Sequence, residues 1–266
     1  MKHKLLGLEQ TLQKEIVSQE DAVKQLSSSL RRAFVMLGKR TKPLATLLFT
    51  GPTGTGKTQT AKVLTHALFD DTGNPPKKLL RFDMSLYQSV SDIPHLVGTA
   101  DNREPGLLSA AVQEEPYATL LLDEIEKAHH DLLNIFLTIL DEGYFTNGGG
   151  RRIDCKHLII IATSNVDHIE TVFAPEFLNR FDGIVRFHAL DNAHVLVIAR
   201  AVADSIIANY SQSHHIAITV SDAFLKQVID NQYDKRYGAR DVQRILSSSI
   251  EDNIAKLILE NKVKAG

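Results

Sequence analysis

The chain has 266 residues, of which 43% are hydrophobic and 23% charged, and its formal net charge is −2 at pH 7. This length suits one large domain or two unequal ones, and the near balance of charge gives no strongly basic surface for nucleic acid. The single cysteine, Cys155, excludes an internal disulfide and is typical of a reducing compartment. We recognise neither a signal peptide nor an apolar run of membrane-spanning length, so we expect a cytoplasmic protein with no membrane partner.

The eleven histidines are scattered along the chain and do not predict a metal site. Side chains at adjacent positions such as His129-His130 and His214-His215 are expected to point to different sides of a helix. Cys155 and His157 alternate on a predicted strand with no second ligand pair nearby. We therefore interpret the histidines as surface or core residues.

Hydrophobic periodicity first predicts two helices, over residues 5–16 and 19–36, with Ser18 as the cap of the second. Apolar runs then alternate with helical segments. The predicted strands are 46–50, 79–83, 119–123, 157–163 and 183–187, and the helices between them are 57–69, 107–115 and 132–143. This alternation predicts a five-stranded parallel sheet flanked by helices.

After His188 the pattern becomes helical, over residues 193–210, 222–230 and 242–261, with one β-like run at 216–220. We therefore expect two domains. The first is a large α/β nucleotide-binding domain over residues 1–190, and the second is a smaller, mostly helical domain over residues 191–266.

A phosphate-binding loop follows the first predicted strand. Its sequence is Gly-Pro-Thr-Gly-Thr-Gly-Lys-Thr, and its predicted nucleotide contacts are Gly51, Pro52, Thr53, Gly54, Thr55, Gly56, Lys57 and Thr58. Backbone N–H groups of such a Walker A loop surround a phosphate, Lys57 reaches the β/γ oxygens and the Thr58 hydroxyl ligates magnesium. A helix beginning at Lys57 adds its positive end. The loop predicts binding of a nucleoside triphosphate with Mg²⁺.

Two acids end the third predicted strand. Asp123 is placed to hold magnesium through its water shell, and Glu124 to polarise the water that attacks the γ-phosphate. An apolar strand meeting an ordinary acidic helix start is the alternative, and the preceding phosphate loop disfavours it. Asn165 ends the fourth predicted strand, where its amide can orient the attacking water.

Two further segments make the pattern specific to a family. Residues 175–182 read Pro-Glu-Phe-Leu-Asn-Arg-Phe-Asp, and Tyr237-Gly238-Ala239-Arg240 opens the last long helix. With the loop and the acids, they resemble the AAA+ ATPase module of the Clp unfoldases and disaggregases, most of all the second ring of ClpB, ClpA and ClpC. Residues 16–22, beginning Ile16-Val17, resemble the adenine-side motif of this family, although Ser18 stands where glycine is usual.

The resemblance implies an ATPase that uses ATP/ADP and Mg²⁺ and works as a ring homo-oligomer, expected to be a hexamer. Asn165 would be the first sensor of the γ-phosphate, and Arg240, with Ala239 beside the nucleotide, the second. Arg180 would be the arginine finger that completes the site of the adjacent subunit. A surface ion pair is the alternative for each arginine. An isolated subunit should bind ATP but hydrolyse it poorly.

The chain departs from the family in two places. Threading members carry an aromatic paddle, but residues 96–107 are shorter, and no aromatic residue lies between Tyr87 and Tyr117. After Asn165 there is no room for the loop that engages a ClpP-type protease, so we do not expect that partner. The predicted hairpin at 144–154 can face the channel, but its arginines, Arg151 and Arg152, are more simply interpreted as solvated.

We therefore favour an ATP-hydrolysing module that remodels or unfolds client proteins. The alternative is a nucleotide-gated assembly or partner-specific remodelling ATPase that does not thread polypeptide. A nucleic-acid AAA+ motor is opposed by the absence of a basic stripe. Because relatives usually continue into another strand after the last helix, we expect one module excised from a longer chain. The sequence does not identify the client.

Overall fold

The structure is a computed structural model that describes residues 2–35, 41–101, 105–214 and 218–259. Contacts divide the chain into two compact units. The first comprises Met1–Gly51 with Gly56–Phe187, and the second comprises Pro52–Thr55 with His188–Gly266. Several positions discussed above lie outside the described residues. They are the predicted helix ends at 36 and 261, residues 216 and 217 of the β-like run, residues 102–104 of the segment 96–107, and His215. Residues 218–220 are described and form no strand.

The predicted helices and strands occur in the predicted order, with boundaries shifted by a few residues, and two short helices over Ile93–Val97 and Pro175–Leu178 were not predicted. The helices are α1 (Lys2–Glu15), α2 (Glu20–Val35), α3 (Lys57–Phe69), α4 (Ile93–Val97), α5 (Leu107–Glu114), α6 (His130–Glu142), α7 (Pro175–Leu178), α8 (Asn192–His214), α9 (Asp222–Gln232) and α10 (Ala239–Leu259). The strands are β1 (Ala45–Thr50), β2 (Leu79–Asp83), β3 (Thr119–Asp123), β4 (Tyr144–Thr146), β5 (Arg152–Asp154), β6 (Ile159–Ser164) and β7 (Gly183–Arg186).

Five strands form a parallel sheet in the order β2-β3-β6-β1-β7, which confirms the predicted fold class. Every residue of β1, β3 and β6 is buried, because helices cover both faces of the sheet. Strand β6 lies between β3 and β1, and Thr50 at the end of β1 pairs with Ser164 at the end of β6. The segments that follow these three strands therefore meet at one edge of the sheet.

Successive residues of β1 face opposite sides of this sheet. Leu48 packs in the core that contains α5 and α6, whereas Leu47 and Phe49 pack in the core that contains α1, α2 and α3. The two cores hold the sheet from both sides. The positions of the strand ends, and of the side chains that follow them, are fixed as a result.

The short strands β4 and β5 form the predicted antiparallel hairpin, with Phe145 paired to Ile153. Its glycine turn is anchored to the segment that follows α4. The N–H of Gly148 donates to the carbonyl of Val97 at 3.1 Å, and a Cβ added at Gly148 would lie 2.0 Å from the carbonyl oxygen of Gly98. A side chain at Gly148 would therefore separate the hairpin from this segment.

The connection between α1 and α2 corrects one prediction. Ser18 adopts a left-handed backbone conformation with φ 66° and does not cap α2. Gln19 immediately precedes the helix, and its carbonyl accepts the N–H of Val23 at 2.8 Å. Glycine adopts the left-handed conformation most easily. This explains why glycine is usual where Ser18 stands in the adenine-side motif.

The second unit is built on α8, α9 and α10, whose core includes Val195, Leu225 and Val242. Contrary to our expectation from the sequence, one helix of the described residues is long and apolar enough to cross a membrane by length and composition alone, over Asn192–Gln212. Val195, Ala199 and Ala203 of that helix are buried in the core of this unit. A helix packed into the core of a domain can meet the same criteria of length and composition.

Candidate active site

The phosphate-binding loop has the backbone that its glycines predict. Gly51 has φ 132°, and a Cβ there would lie 2.1 Å from the carbonyl oxygen of Phe187. Gly56 has φ 98° and immediately precedes α3. Lys57 is buried, and its Nζ donates to the carbonyl of Gly51 at 2.6 Å. The lysine thus turns back over its own loop, at the amino end of a 13-residue helix that favours anions.

The two predicted magnesium residues lie together. The hydroxyl of Thr58 donates to Oδ2 of Asp123 at 3.3 Å, so the end of β3 meets the start of α3. Oδ1 of Asp123 accepts a second hydrogen bond, at 2.5 Å, from the hydroxyl of Thr163 in β6. A hydroxyl and a carboxylate are the hard oxygen ligands that Mg²⁺ prefers, so this residue set fits the ion.

Glu124 adopts an unusual backbone conformation. Its φ of 55° and ψ of 51° are left-handed, a region that costs a non-glycine residue roughly 1–2 kcal/mol. The backbone N–H of Glu124 donates to the Thr163 hydroxyl at 3.1 Å, which holds this conformation. The turn directs its side chain towards β6, where Nδ2 of Asn165 donates to Oε1 of Glu124 at 3.1 Å. The predicted water-activating acid and first sensor are thereby brought into contact.

Asn165 is itself held by a residue that the sequence analysis did not select. Its backbone N–H donates to Oε1 of Glu126 at 3.1 Å, and Oε2 of Glu126 is buried without a hydrogen-bond partner in the described structure. A buried carboxylate of this kind is costly, and here it fixes the start of the segment after β6. The signal in the sequence was an acid two positions after Glu124.

Arg81 is a second site residue that the sequence analysis missed. Its Nε and Nη2 both donate to Oδ2 of Asp123, at 3.0 and 2.7 Å. The side chain of Asp123 is only 7% exposed, so the guanidinium supplies the counter-charge for a buried carboxylate. An arginine within the otherwise apolar start of β2, one strand away from the acids, was the available signal.

Arg180 lies at the opposite edge of the sheet from the phosphate loop of its own chain. Its carbonyl accepts the hydroxyl of Thr46 at 3.1 Å, near the amino end of β1, whereas the loop follows the carboxyl end of β1. The rise of about 3.3 Å per residue separates Thr46 from Thr50 by roughly 13 Å. The structure therefore does not bring Arg180 close to Asp123 and Glu124 of its own chain.

The remaining predicted residues occupy other parts of the chain. Ile16 is buried and Val17 half-buried, between α1 and α2. Within the second unit, the N–H of Ala239 donates to the carbonyl of Gly54 at 2.9 Å, and the neighbouring Arg240 is exposed in the first turn of α10. The contact of these residues with a nucleotide stays a prediction.

The His129-His130 pair corrects the expectation that these adjacent side chains point to different sides of a helix. The ring centroids are 4.2 Å apart, and the side chains of both histidines and Asp131 lie within reach of one another. The reason is that His129 precedes α6 as its cap, where Nδ1 accepts the Asp131 N–H at 3.3 Å, so the two rings are not spaced as helix neighbours. That hydrogen bond occupies one ring nitrogen of His129.

Cys155 is buried immediately after β5. Burial raises the pKa of its thiol to about 12, with a smaller contribution from Asp154. The thiol is therefore protonated near neutral pH.

Two family models match most of the chain. The AAA domain (Cdc48 subfamily) matches residues 42–184, and the C-terminal, D2-small domain of ClpB protein matches residues 190–266. The first covers four strands of the sheet and the start of β7, with the phosphate loop and the acids, and the second covers the helices of the second unit.

Curated relatives agree with these models. The chain is 36% identical to the chaperone protein ClpB of Vibrio vulnificus (strain YJ016) over 98% of its own length, and 35% identical to those of Wolinella succinogenes and Rickettsia typhi over 100%. It spans 33% of the length of each relative. The chain therefore belongs to the AAA+ family as a ClpB-like module, a class whose AAA domain implies nucleotide binding and ATP hydrolysis.

Proposed function

We propose that the chain binds and hydrolyses ATP as one module of a ring that remodels or unfolds client proteins. The observation that carries this proposal is the contact of Glu124 with Asn165 beside the contact of Thr58 with Asp123. An acid that can activate water, an amide that can orient it and a pair of magnesium ligands then lie at adjacent strand ends, next to the phosphate loop.

Each residue has a defined role in this proposal. Lys57 binds the β- and γ-phosphate oxygens, and Thr58 and Asp123 hold Mg²⁺, which neutralises charge on the transferring phosphoryl group. Glu124 accepts a proton from the attacking water, whose orientation is fixed by the amide of Asn165. The left-handed backbone at Glu124 supports this assignment, because conformational strain of this kind concentrates at functional sites.

A ring is part of the proposal because Arg180 lies far from Asp123 and Glu124 of its own chain. We assign it to the site of the adjacent subunit, where its charge stabilises the transition state. Arg240 is assigned as the second sensor, carried by a small lid domain over residues 191–266, while residues 1–190 form the large nucleotide-binding domain. Ile16 and Val17 are assigned to the adenine side.

The relatives are chaperones, and by similarity we propose protein clients and a cytoplasmic location. The segment around residues 98–106 supports a second candidate, a remodelling ATPase that does not thread polypeptide. It lacks aromatic residues, which supply large contact areas at little entropic cost. ATP-dependent cross-linking of an unfolded polypeptide to a probe at Thr99 separates the two candidates. Strong cross-links favour threading, and their absence favours the second candidate.

The proposed function is tested by measuring ATP hydrolysis against protein concentration for the wild type and Arg180→Ala. We expect the specific rate of the wild type to rise with concentration as subunits assemble, and Arg180→Ala to lose at least ~10²-fold at every concentration. Nucleotide affinity of Arg180→Ala should stay near the wild-type value. A rate independent of concentration and of Arg180 would contradict the shared site.

A further inference from the structure

Two carboxylates of its own chain contact the side chain of Arg180. Nε lies 2.9 Å from Oδ2 of Asp141, in the last turn of α6, and Nη2 lies 3.5 Å from Oε1 of Glu176. The Asp141 side chain is 27% exposed and that of Glu176 is 71% exposed. Water screens the Glu176 contact more strongly, so Asp141 is the partner with the larger influence on Arg180.

Asp141 is itself held in place. Its second oxygen, Oδ1, accepts a hydrogen bond from Nζ of Lys42 at 3.1 Å. The two carboxylate oxygens therefore face two different cations, which fixes the orientation of the carboxylate. Ile139 and Leu140, which precede Asp141 in α6, are buried in the core of the first unit. Asp141 thus stands on a helix that is packed into the core.

The backbone next to Arg180 is fixed as well. Oδ2 of Asp182 accepts the N–H of Thr46 at 2.9 Å and lies 3.1 Å from the Thr46 hydroxyl, and the N–H of Asp182 donates to the same hydroxyl. These bonds attach the segment between α7 and β7 to the start of β1. Because the backbone of this segment is held in place, the contact with Asp141 is the main influence on the direction of the Arg180 side chain.

The contact between Asp141 and Arg180 is close but poorly aligned. Nε of Arg180 is buried and makes no hydrogen bond of acceptable geometry within the described structure, although it lies 2.9 Å from Asp141. Such an ion contact is weaker than a bidentate fork of two aligned hydrogen bonds. It can orient the guanidinium and still release it to a competing anion such as a phosphate.

We propose that Asp141 is a positioning residue for Arg180, holding the guanidinium so that it completes the ATPase site of the adjacent subunit. This inference rests on the proposed function, in which Arg180 acts on a neighbour. Asp141 contacts no nucleotide in this account. Its contribution is to reduce the number of side-chain orientations from which Arg180 must reach the transferring phosphoryl group.

The first test compares Asp141→Ala, Asp141→Asn and Arg180→Ala in the assembled full-length protein. We expect kcat to fall ~10-fold in Asp141→Ala and ~3-fold in Asp141→Asn, with the affinity for a fluorescent ATP analogue within ~2-fold of wild type. Glu170→Gln is the matched control, because it removes an acid 3.5 Å from Arg186, an exposed arginine outside the proposed site. It should leave kcat unchanged.

Mixed rings separate positioning from general structural damage. Lys57→Ala subunits lack a working phosphate loop but retain Arg180 and Asp141. Added to Asp141→Ala subunits, they should restore hydrolysis at the intact sites of the latter, as they should for Arg180→Ala subunits. A structural defect in the Asp141→Ala subunit itself would not be repaired by its neighbour.

The outcomes distinguish this inference from the function on which it rests. Unchanged or increased kcat in Asp141→Ala and Asp141→Asn, with Arg180→Ala inactive, overturns the positioning role alone. Rescue of Arg180→Ala but not of Asp141→Ala also overturns it. Wild-type activity of Arg180→Ala overturns the proposed function. If thermal unfolding shows that Asp141→Ala is not folded, the same comparisons are made with Asp141→Asn.

Discussion

The guanidinium of Arg81 donates two hydrogen bonds to one oxygen of Asp123, the same oxygen that accepts the hydroxyl of Thr58. The proposed magnesium ligand therefore has a protein counter-charge. We expect Arg81→Gln to destabilise the Mg²⁺-free protein by about 1–2 kcal/mol, because a buried carboxylate loses its partner while the exposed side of Arg81 limits the effect.

Thermal unfolding measures this effect. Tm should fall by roughly 2–8 °C without magnesium, and the difference from wild type should shrink with Mg²⁺ and nucleotide. Arg186→Gln is the control, since its ion pair with Glu170 is exposed, and its Tm should not change. Equal losses with and without magnesium would contradict a role for Arg81 as a counter-charge to Asp123.

Thr163 connects both acids through one hydroxyl, which donates to Asp123 and accepts from the N–H of Glu124. Thr163→Val keeps the volume but leaves two buried polar groups unpaired, so we expect a loss of about 1–3 kcal/mol and a lower kcat. Thr163→Ser keeps the hydroxyl and should retain most of the activity. Denaturant unfolding and steady-state hydrolysis of both variants check this, and equal behaviour of the two would contradict it.

Ser18 holds a left-handed conformation that β-branched residues adopt poorly. We expect Ser18→Val to destabilise the fold by ~1 kcal/mol or more, and Ser18→Gly to be neutral or stabilising by up to ~1 kcal/mol. Urea unfolding provides the measurement. Ser28→Gly is the control, because Ser28 is half-buried inside α2, where glycine should cost roughly 0.5 kcal/mol. A stabilising Ser18→Val would contradict the assignment.

Burial of Cys155 predicts a dependence on alkaline pH. Its pKa of about 12 in the folded protein lies above the ordinary value of 9.0, so the unfolded chain loses this proton first. The contribution to stability is complete below about pH 9 and declines as the pH rises towards 12. Between pH 9 and 11, wild type should lose stability faster than Cys155→Ala, as measured by urea unfolding. Parallel pH profiles would contradict this.

Much of the fold was predictable because buried parallel strands appear as continuous apolar runs. β1, β3 and β6 are buried on both faces, the phosphate loop follows β1, and the acids Asp123 and Glu124 lie at the end of β3. The single-residue corrections have local causes. Ser18 adopts a left-handed conformation, and His129 acts as a cap, and neither property follows from helical periodicity.

The hydrogen-bond partners within the site were not predictable in the same way. Arg81 meets Asp123 from a separate strand, and Asp141 meets Arg180 across 39 positions of the sequence. Periodicity reports which face of an element is buried, but it carries no information on which distant polar groups meet. Glu126 shares this property, since its contact with the backbone of Asn165 depends on how β3 and β6 pair.

The most direct test of the account is ATP binding and single-turnover hydrolysis by the assembled protein carrying Glu124→Gln. Glutamine keeps the shape of the side chain and the oxygen that accepts from Asn165, but it cannot take a proton from water. We predict ATP affinity within ~3-fold of wild type and hydrolysis slowed by at least ~10²-fold, so that ATP stays bound. Hydrolysis at the wild-type rate, or loss of ATP binding, would contradict the assignment of Glu124 as the base.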